Sequence, residues 1–303
     1  MTTADYIDIC TARDRGRTYR SHLKAALNGL TDAFSTKEDN GVRTHLGASQ
    51  IGHPCARAVW YGFRWFYPEM LEARMLRLFN RGHLEEARFT AALRTANVKV
   101  WTVHPKTNRQ FRFSDHNGHF GGSCDAVLQG IPELWSGDGP SKNDPYVLGE
   151  YKTHGDSSFK ALLKKQVKGS KPQHFIQMQV YMHYMKLPYA LYLAVNKNTD
   201  ELYSELIGYE PEIAKQYIDR AASIIDSRMI PERMPEGSFA CKMCNYRGPC
   251  WEELDAYISC RSCRKCFVSS DRAGWDCGHT GTHFSRTLPM AAESLCQEYV
   301  QIR

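Results

Sequence analysis

The chain has 303 residues, 42% of them hydrophobic and 24% charged, with a formal net charge of +6. That balance excludes a disordered or fibrous chain and is enough for a large core in one domain or two. No apolar run reaches the roughly 18 residues of a membrane span, the stretch MTTADYIDICTARDRGRTYR lacks an apolar signal region, and so small a positive charge does not by itself argue for nucleic acid.

In chain order, residues 1–50 read as helical and then loop-like around KEDNGVRTHLGASQ, followed by the aromatic and basic CARAVWYGFRWFY over 55–67. Residues 68–96 carry Met70, Leu71, Met75, Leu78, Phe79, Leu84, Phe89 and Leu93 at helical spacing, as one helix or as two with a break near Gly82. The period then changes. VKVWTVH (98–104), RQFRFS (109–114), HFGGSCDAVLQG (119–130) and PYVLGEYKT (145–153) read as strands, with a Gly/Pro/Ser/Asp-rich loop over 131–144. A helix over 171–186, a strand pair over 189–207 with its turn at NKNTD, and a helix over 211–230 follow. The order predicts an α/β core behind an N-terminal helical part, and a cysteine-rich tail begins near residue 238.

The stretch LGEYKT sets Glu150 and Lys152 two apart, on one face of a strand. Asp125 sits on the preceding predicted strand. Two carboxylates from adjacent strands suit a hard cation such as Mg²⁺ or Mn²⁺. A bound ion of that kind acidifies water and neutralises phosphoryl charge, and a neighbouring lysine orients the water. Read from the residues alone, the pattern also describes a solvated ion pair. Its context, just where the apolar YVLG emerges, favours the site.

The arrangement resembles the PD-(D/E)XK nucleases, and within them the RecB-like branch. That family has an Asp on one strand, Glu-x-Lys on the next, and a following helix with Gln-x-x-x-Tyr, matched here by Gln177 and Tyr181. The resemblance implies a restriction-endonuclease-like core, a mixed sheet flanked by helices. It assigns RGHLEEARF to the upstream metal-binding segment, making His83 a ligand beside Asp125 and Glu150, with the Tyr151 carbonyl as an extra ligand. The 24 residues between Asp125 and Glu150 exceed the spacing in many relatives, and the excess falls in the 131–144 loop.

Eleven cysteines are many for a cytoplasmic chain, and eight of them crowd the last quarter, which points to metal rather than disulfides. Cys241, Cys244 and Cys250 form C-x2-C-x5-C, such a set needs a fourth ligand, and Cys55 is the candidate. That layout resembles the iron–sulfur subset of RecB-like nucleases, including the AddB nuclease domain and the nuclease of CRISPR adaptation. The resemblance implies a structural 4Fe–4S cluster, and by spacing alone a four-Cys zinc site is the alternative. Further on, Cys260, Cys263, Cys277 and Cys296 read as a structural Zn²⁺ site, in a tail resembling extensions of some phage-encoded nucleases. Cys266 in place of Cys260 is a second register, and Cys263, Cys266, His279 and His283 have finger spacing but lack the apolar residues a finger helix packs on.

Four parts follow: a helical part over 1–97, a nuclease core over 98–237, an iron–sulfur closing segment over 238–256 and a zinc-binding tail over 257–303. The resemblance implies a Mg²⁺- or Mn²⁺-dependent DNA exonuclease acting at DNA ends, in recombination, repair or phage DNA metabolism. The rival is a DNA-end-binding module with an idle hydrolytic site; a redox enzyme is disfavoured because no Gly-rich cofactor loop is present. Lys160, Lys164, Lys165, Lys168 and Lys171 lie just past the ExK strand, either as backbone contacts to DNA or as a solvated helix face. Trp60, Tyr61, Trp65 and Phe66 read as core near Cys55, with base stacking the alternative.

Overall fold

A computed structural model describes residues 43–67, 73–252, 254–285 and 296–303. The expected helical region at the start of the chain therefore lies almost wholly outside the described residues, as does Cys10. Two compact units divide the chain. The smaller comprises 1–41 and 70–84, and the larger comprises 42–69 and 85–303. Of the smaller unit, only residues 73–84 are described.

In chain order the described elements begin with β1 (Leu46–Gly47), α1 (Ala48–Ile51), α2 (Ala56–Phe63) and α3 (Ala73–Thr95). Strands β2 (Lys99–Trp101), β3 (Arg112–Asp115), β4 (Phe120–Ser123), β5 (Ala126–Gln129) and β6 (Val147–His154) come next. Helices α4 (Asp156–Ser170) and α5 (Pro172–Met185) precede β7 (Tyr189–Asn196), β8 (Leu202–Gly208) and α6 (Pro211–Asp226). The last part contains α7 (Phe239–Lys242), α8 (Arg247–Trp251) and β9 (Cys266–Val268), β10 (Trp275–Cys277) and β11 (His283–Phe284).

The central sheet has the order β2-β5-β6-β7-β8, with β6 and β7 parallel and the other pairs antiparallel. Its central strands β6 and β7 are buried on both faces. Leu148, Ala190, Tyr192 and Ala194 join one apolar cluster with residues of α4, α5 and α6, such as Phe159, Leu162, Val180 and Ile224. Val147, Tyr151, Leu191 and Val195 join a second cluster with Phe89 of α3. This double burial explains why β6 begins as a continuous apolar run rather than an alternating one. The core is thus a mixed sheet flanked by helices, and the C-terminal region is rich in cysteine.

Local chemistry sets the boundaries. Proline opens α5 and α6 at a position where its missing N–H costs nothing. Lys186 closes α5 in the left-handed conformation, at φ 55°. Helix α3 passes through Gly82 unbroken, so the predicted segment is one helix. The predicted strands 98–104 and 109–114 shorten to β2 and β3. The predicted strand 119–130 is two strands in two different sheets: β4 pairs with β1 and β3, whereas β5 joins the central sheet. Cys124 and Asp125 occupy the break between them.

Candidate active site and thiol clusters

The break after β4 places Asp125 where the central sheet begins. Ala126 pairs with Gly149 in the antiparallel β5–β6 ladder, so Asp125 stands one step further out, level with Glu150. Directly opposed residues of such a pair project to the same face. Asp125 Oδ2 accepts the Tyr151 N–H at 2.8 Å, which fixes its carboxylate against β6. Glu150 is 1% exposed; its Oε1 accepts a hydrogen bond from Lys152 Nζ, while its Oε2 is buried without a partner. Lys152 Nζ also donates to the Tyr151 carbonyl at 3.2 Å.

The electrostatics follow from this packing. Burial pushes the Glu150 carboxyl up, Lys152 opposes that, and the charge of Asp125 adds to it, followed by that of Glu86 on α3. Burial alone would push the Lys152 ammonium down, but Glu150 and Asp125 outweigh it and hold the group above its ordinary value. Glu86 is absent from the residues predicted above, because nothing in its spacing ties it to Glu150.

Helix α5 supplies the cover. Gln177 Nε2 lies 3.5 Å from Tyr181 Oη, one helical turn apart. Tyr181 is 3% exposed, and burial, then the charge of Glu150, push its phenol well above the ordinary range. Its ring lies against Gly122 of β4, where a Cβ would stand 2.7 Å from the Tyr181 Oη. Only glycine allows that approach. Asp125, Glu150, Lys152 and Tyr181 are therefore gathered in one place. His83 is exposed on α3, in the described part of the smaller unit.

Cys55, Cys241, Cys244 and Cys250, predicted from opposite ends of the sequence, line one small cavity together with Tyr61 and Tyr246. The Cys244 thiol is pushed up by burial and by the three other thiols, while its sulfur accepts the Tyr246 N–H. Arg57 donates to Cys250 Sγ at 3.8 Å. Trp60, Tyr61 and Phe66 are core residues beside this cavity, at 0–2% exposure. Trp65 instead lies under the Arg261 guanidinium, 3.8 Å from its ring centre.

In the tail, Cys260 is raised to about 11 by burial and then by Cys263, Cys277 and Cys296, so the four predicted sulfurs are neighbours. Cys266 joins them as a fifth: it pairs with Cys277 across β9 and β10 and is 3% exposed. Burial alone would raise Cys277, but hydrogen bonds from the Thr280 hydroxyl and the Thr280 and His279 amides bring it below its ordinary value. Donors of this kind suit a thiolate ligand. His283 directs its two ring nitrogens at Asp276 and the Ala273 carbonyl. Arg64 of the segment after α2 is 1% exposed, donates to the Cys263 and Cys266 carbonyls, and brings its charge beside both thiols. Among the described residues, no three His, Cys, Asp or Glu side chains converge as ligands about a single point.

The predicted lysines divide. Lys160 pairs with Asp156 and Lys168 with Glu210, each at 2.8 Å. These two belong to a paired, solvated helix face. Among the described residues no helix is long and apolar enough to cross a membrane.

No protein-family model matches the chain, and no curated protein matches it. Among solved structures it is similar to SSO0001, at 14% identity over 76% of this chain and 98% of that one, with a TM-score of 0.47. It is also similar to the alkaline exonuclease LHK-Exo of Laribacter hongkongensis in complex with dAMP, at 12% identity over 60% and 86% of the two chains, with a TM-score of 0.40. A phage-related exonuclease from Haemophilus somnus 129PT is similar at 12% identity over 59% and 91%, with a TM-score of 0.39.

Proposed function

We propose that the protein is a divalent-metal-dependent nuclease that hydrolyses phosphodiester bonds of DNA, acting from DNA ends. The observation that carries this reading is the buried Glu150 carboxylate, with one oxygen on Lys152 and the other unspent, level with Asp125 on the neighbouring strand. A buried carboxylate with a free oxygen costs stability unless something positive completes it. Two carboxylates plus water and a carbonyl fit Mg²⁺ or Mn²⁺, which keep several waters and do not require an all-protein cage. His83 is the further ligand proposed from the RGHLEEARF segment. When bound, such an ion supplies an acidified water and charge neutralisation at the phosphoryl oxygens.

The chain's own residues do the rest. Asp125 and Glu150 hold the ion's place. Lys152 exchanges its contact with Glu150 for the attacking water and the phosphate, as an ammonium of high pKa does. Gln177 and Tyr181 wall the site and orient the strand. The Cys55, Cys241, Cys244 and Cys250 set is proposed to hold a 4Fe–4S cluster that staples α2 to α7 and α8. Four of the tail thiols, Cys260, Cys263, Cys277 and Cys296, are proposed to hold structural zinc. The test is degradation of DNA labelled at either end, single- or double-stranded, with Mn²⁺ and then with EDTA. Mn²⁺-dependent loss of label from one end supports the reading; binding without cleavage under every metal condition leaves the end-binding module instead.

A further inference from the structure

A separate chain of hydrogen bonds lies past Glu150 and Lys152 on the same face of β6, starting at His154. Residues 150, 152 and 154 share that face. The parallel register sets Glu150 beside Tyr192 and His154 beside Asn196 on β7. Ser158 Oγ lies 3.3 Å from His154 Nδ1, His154 Nε2 lies 2.7 Å from Tyr192 Oη, and Tyr192 Oη lies 2.9 Å from His174 Nδ1. Tyr192 is 0% exposed and His154 7%. The two imidazoles and the phenol ring are stacked. His174 precedes Gln177 and Tyr181 by three and seven residues, and so lies on the face of α5 that covers the site.

Burial, followed by the charges of Lys152 and Lys171, holds His174 down to about 3. Burial and then Lys171, Lys152 and Lys197 hold His154 down to about 4. Both rings are therefore neutral, each with one donor and one acceptor nitrogen. The buried Tyr192 O–H must also donate, and only the two rings are within its reach, which leaves two senses for the chain. In one, Ser158 donates to His154, His154 to Tyr192, and Tyr192 to His174 Nδ1, so the His174 proton resides on Nε2. In the other, every bond is reversed and Nε2 is a bare acceptor. Nε2 has no partner among the described residues, and the side chain is partly exposed. An anionic oxygen arriving there selects the first sense.

We propose that His174 binds a phosphate of the DNA strand through its Nε2–H, with Tyr192, His154 and Ser158 as positioning residues that fix this tautomer. The proposal rests on the nuclease reading and identifies how its site grips the substrate backbone. Lys152 and Lys171, whose charges both reach the ring, share the same phosphate-bearing strand. A neutral donor held in this way adds directional grip where a third cation would be costly beside two ammonium groups.

The test is binding of end-labelled DNA in EDTA, which keeps it uncut, with a neutral methylphosphonate placed at each phosphate in turn. The wild type is expected to lose about ten- to a hundredfold in affinity at one position. His174→Ala should lose a similar factor on unmodified DNA and show no further loss at that position. His174→Gln should recover part of the affinity, because its carboxamide N–H reaches toward the Nε2 place. Tyr192→Phe keeps the buried ring, frees the tautomer, and should weaken binding at the same phosphate. The proposal is overturned if His174→Ala binds as the wild type does, or if its loss adds to the methylphosphonate loss. Should His174→Ala misfold, Tyr192→Phe decides: folded, with an unchanged methylphosphonate profile, it also overturns the proposal. A wild type that neither binds nor cuts DNA sinks the nuclease reading itself, which is a different result from a nuclease indifferent to His174.

Discussion

Asp125 has two tasks in this account, and two substitutions separate them. Its Oδ2 accepts the Tyr151 N–H at 2.8 Å, and its charge stands level with Glu150. Asp125→Ala removes both. The Tyr151 amide, on a strand buried on both faces, then has no acceptor, and losing a hydrogen bond to a charged group costs about 1.5–3 kcal/mol. Asp125→Asn keeps an oxygen where the amide needs it and removes only the charge. Urea unfolding at neutral pH should therefore place Asp125→Ala below the wild type by about 2 kcal/mol. Asp125→Asn should stay within about 0.5 kcal/mol of the wild type. Both should lose Mn²⁺-dependent cleavage of end-labelled DNA while still binding it. An Asp125→Ala protein as stable as the wild type would show that the carboxylate does not hold β6, and cleavage by Asp125→Asn would show that its charge holds no ion.

Three further outcomes follow from the same contacts. Lys152→Met should abolish cleavage, leave DNA binding measurable, and raise the thermal stabilisation given by Mn²⁺, because Glu150 Oε1 no longer has the ammonium as partner; Mn²⁺ stabilisation equal to or below that of the wild type would contradict this. His154 and His174 take up protons less readily folded than unfolded, so the unfolded chain binds more protons and stability falls as pH drops below about 6.5 toward the folded values. A shift of His154 to about 4 corresponds to roughly 3 kcal/mol over that window, and His154→Gln should flatten the acid limb of urea midpoints measured from pH 7 to pH 4.5. Cys241→Ser should bleach the brown colour expected of anaerobically purified protein and expose the 238–256 segment to protease; a colourless wild type carrying zinc at this site would replace the iron–sulfur assignment with the four-Cys zinc alternative.

The parts of the site that follow a local rule were legible in the residues. Two-residue alternation put Glu150 and Lys152 on one face, and the apolar start of β6 marked a buried strand. Helical spacing joined Gln177 to Tyr181, and the NKNTD turn closed the β7–β8 pair. Asp125 is expected within a strand, and the structure sets it in the break between two strands. GGSCDAVLQG reads as one strand because the residue pattern does not reveal that β4 and β5 belong to different sheets, a matter of distant partners rather than of sequence period. Tyr192 could not be read at all, since only the β6–β7 register brings it beside Glu150. His154 and His174 were within reach, two residues beyond Lys152 on the strand and three before Gln177 on the helix. In the tail, spacing offers competing sets of four thiols, and the fold keeps both Cys260 and Cys266 near Cys263 and Cys277, so it does not choose between the registers.

The most direct test of the central claim is anomalous diffraction at the manganese edge from crystals grown with Mn²⁺. The account predicts one peak about 2–2.3 Å from a carboxylate oxygen of both Asp125 and Glu150, with Lys152 Nζ displaced from Glu150. Manganese bound elsewhere, with Lys152 still seated on Glu150, would contradict it.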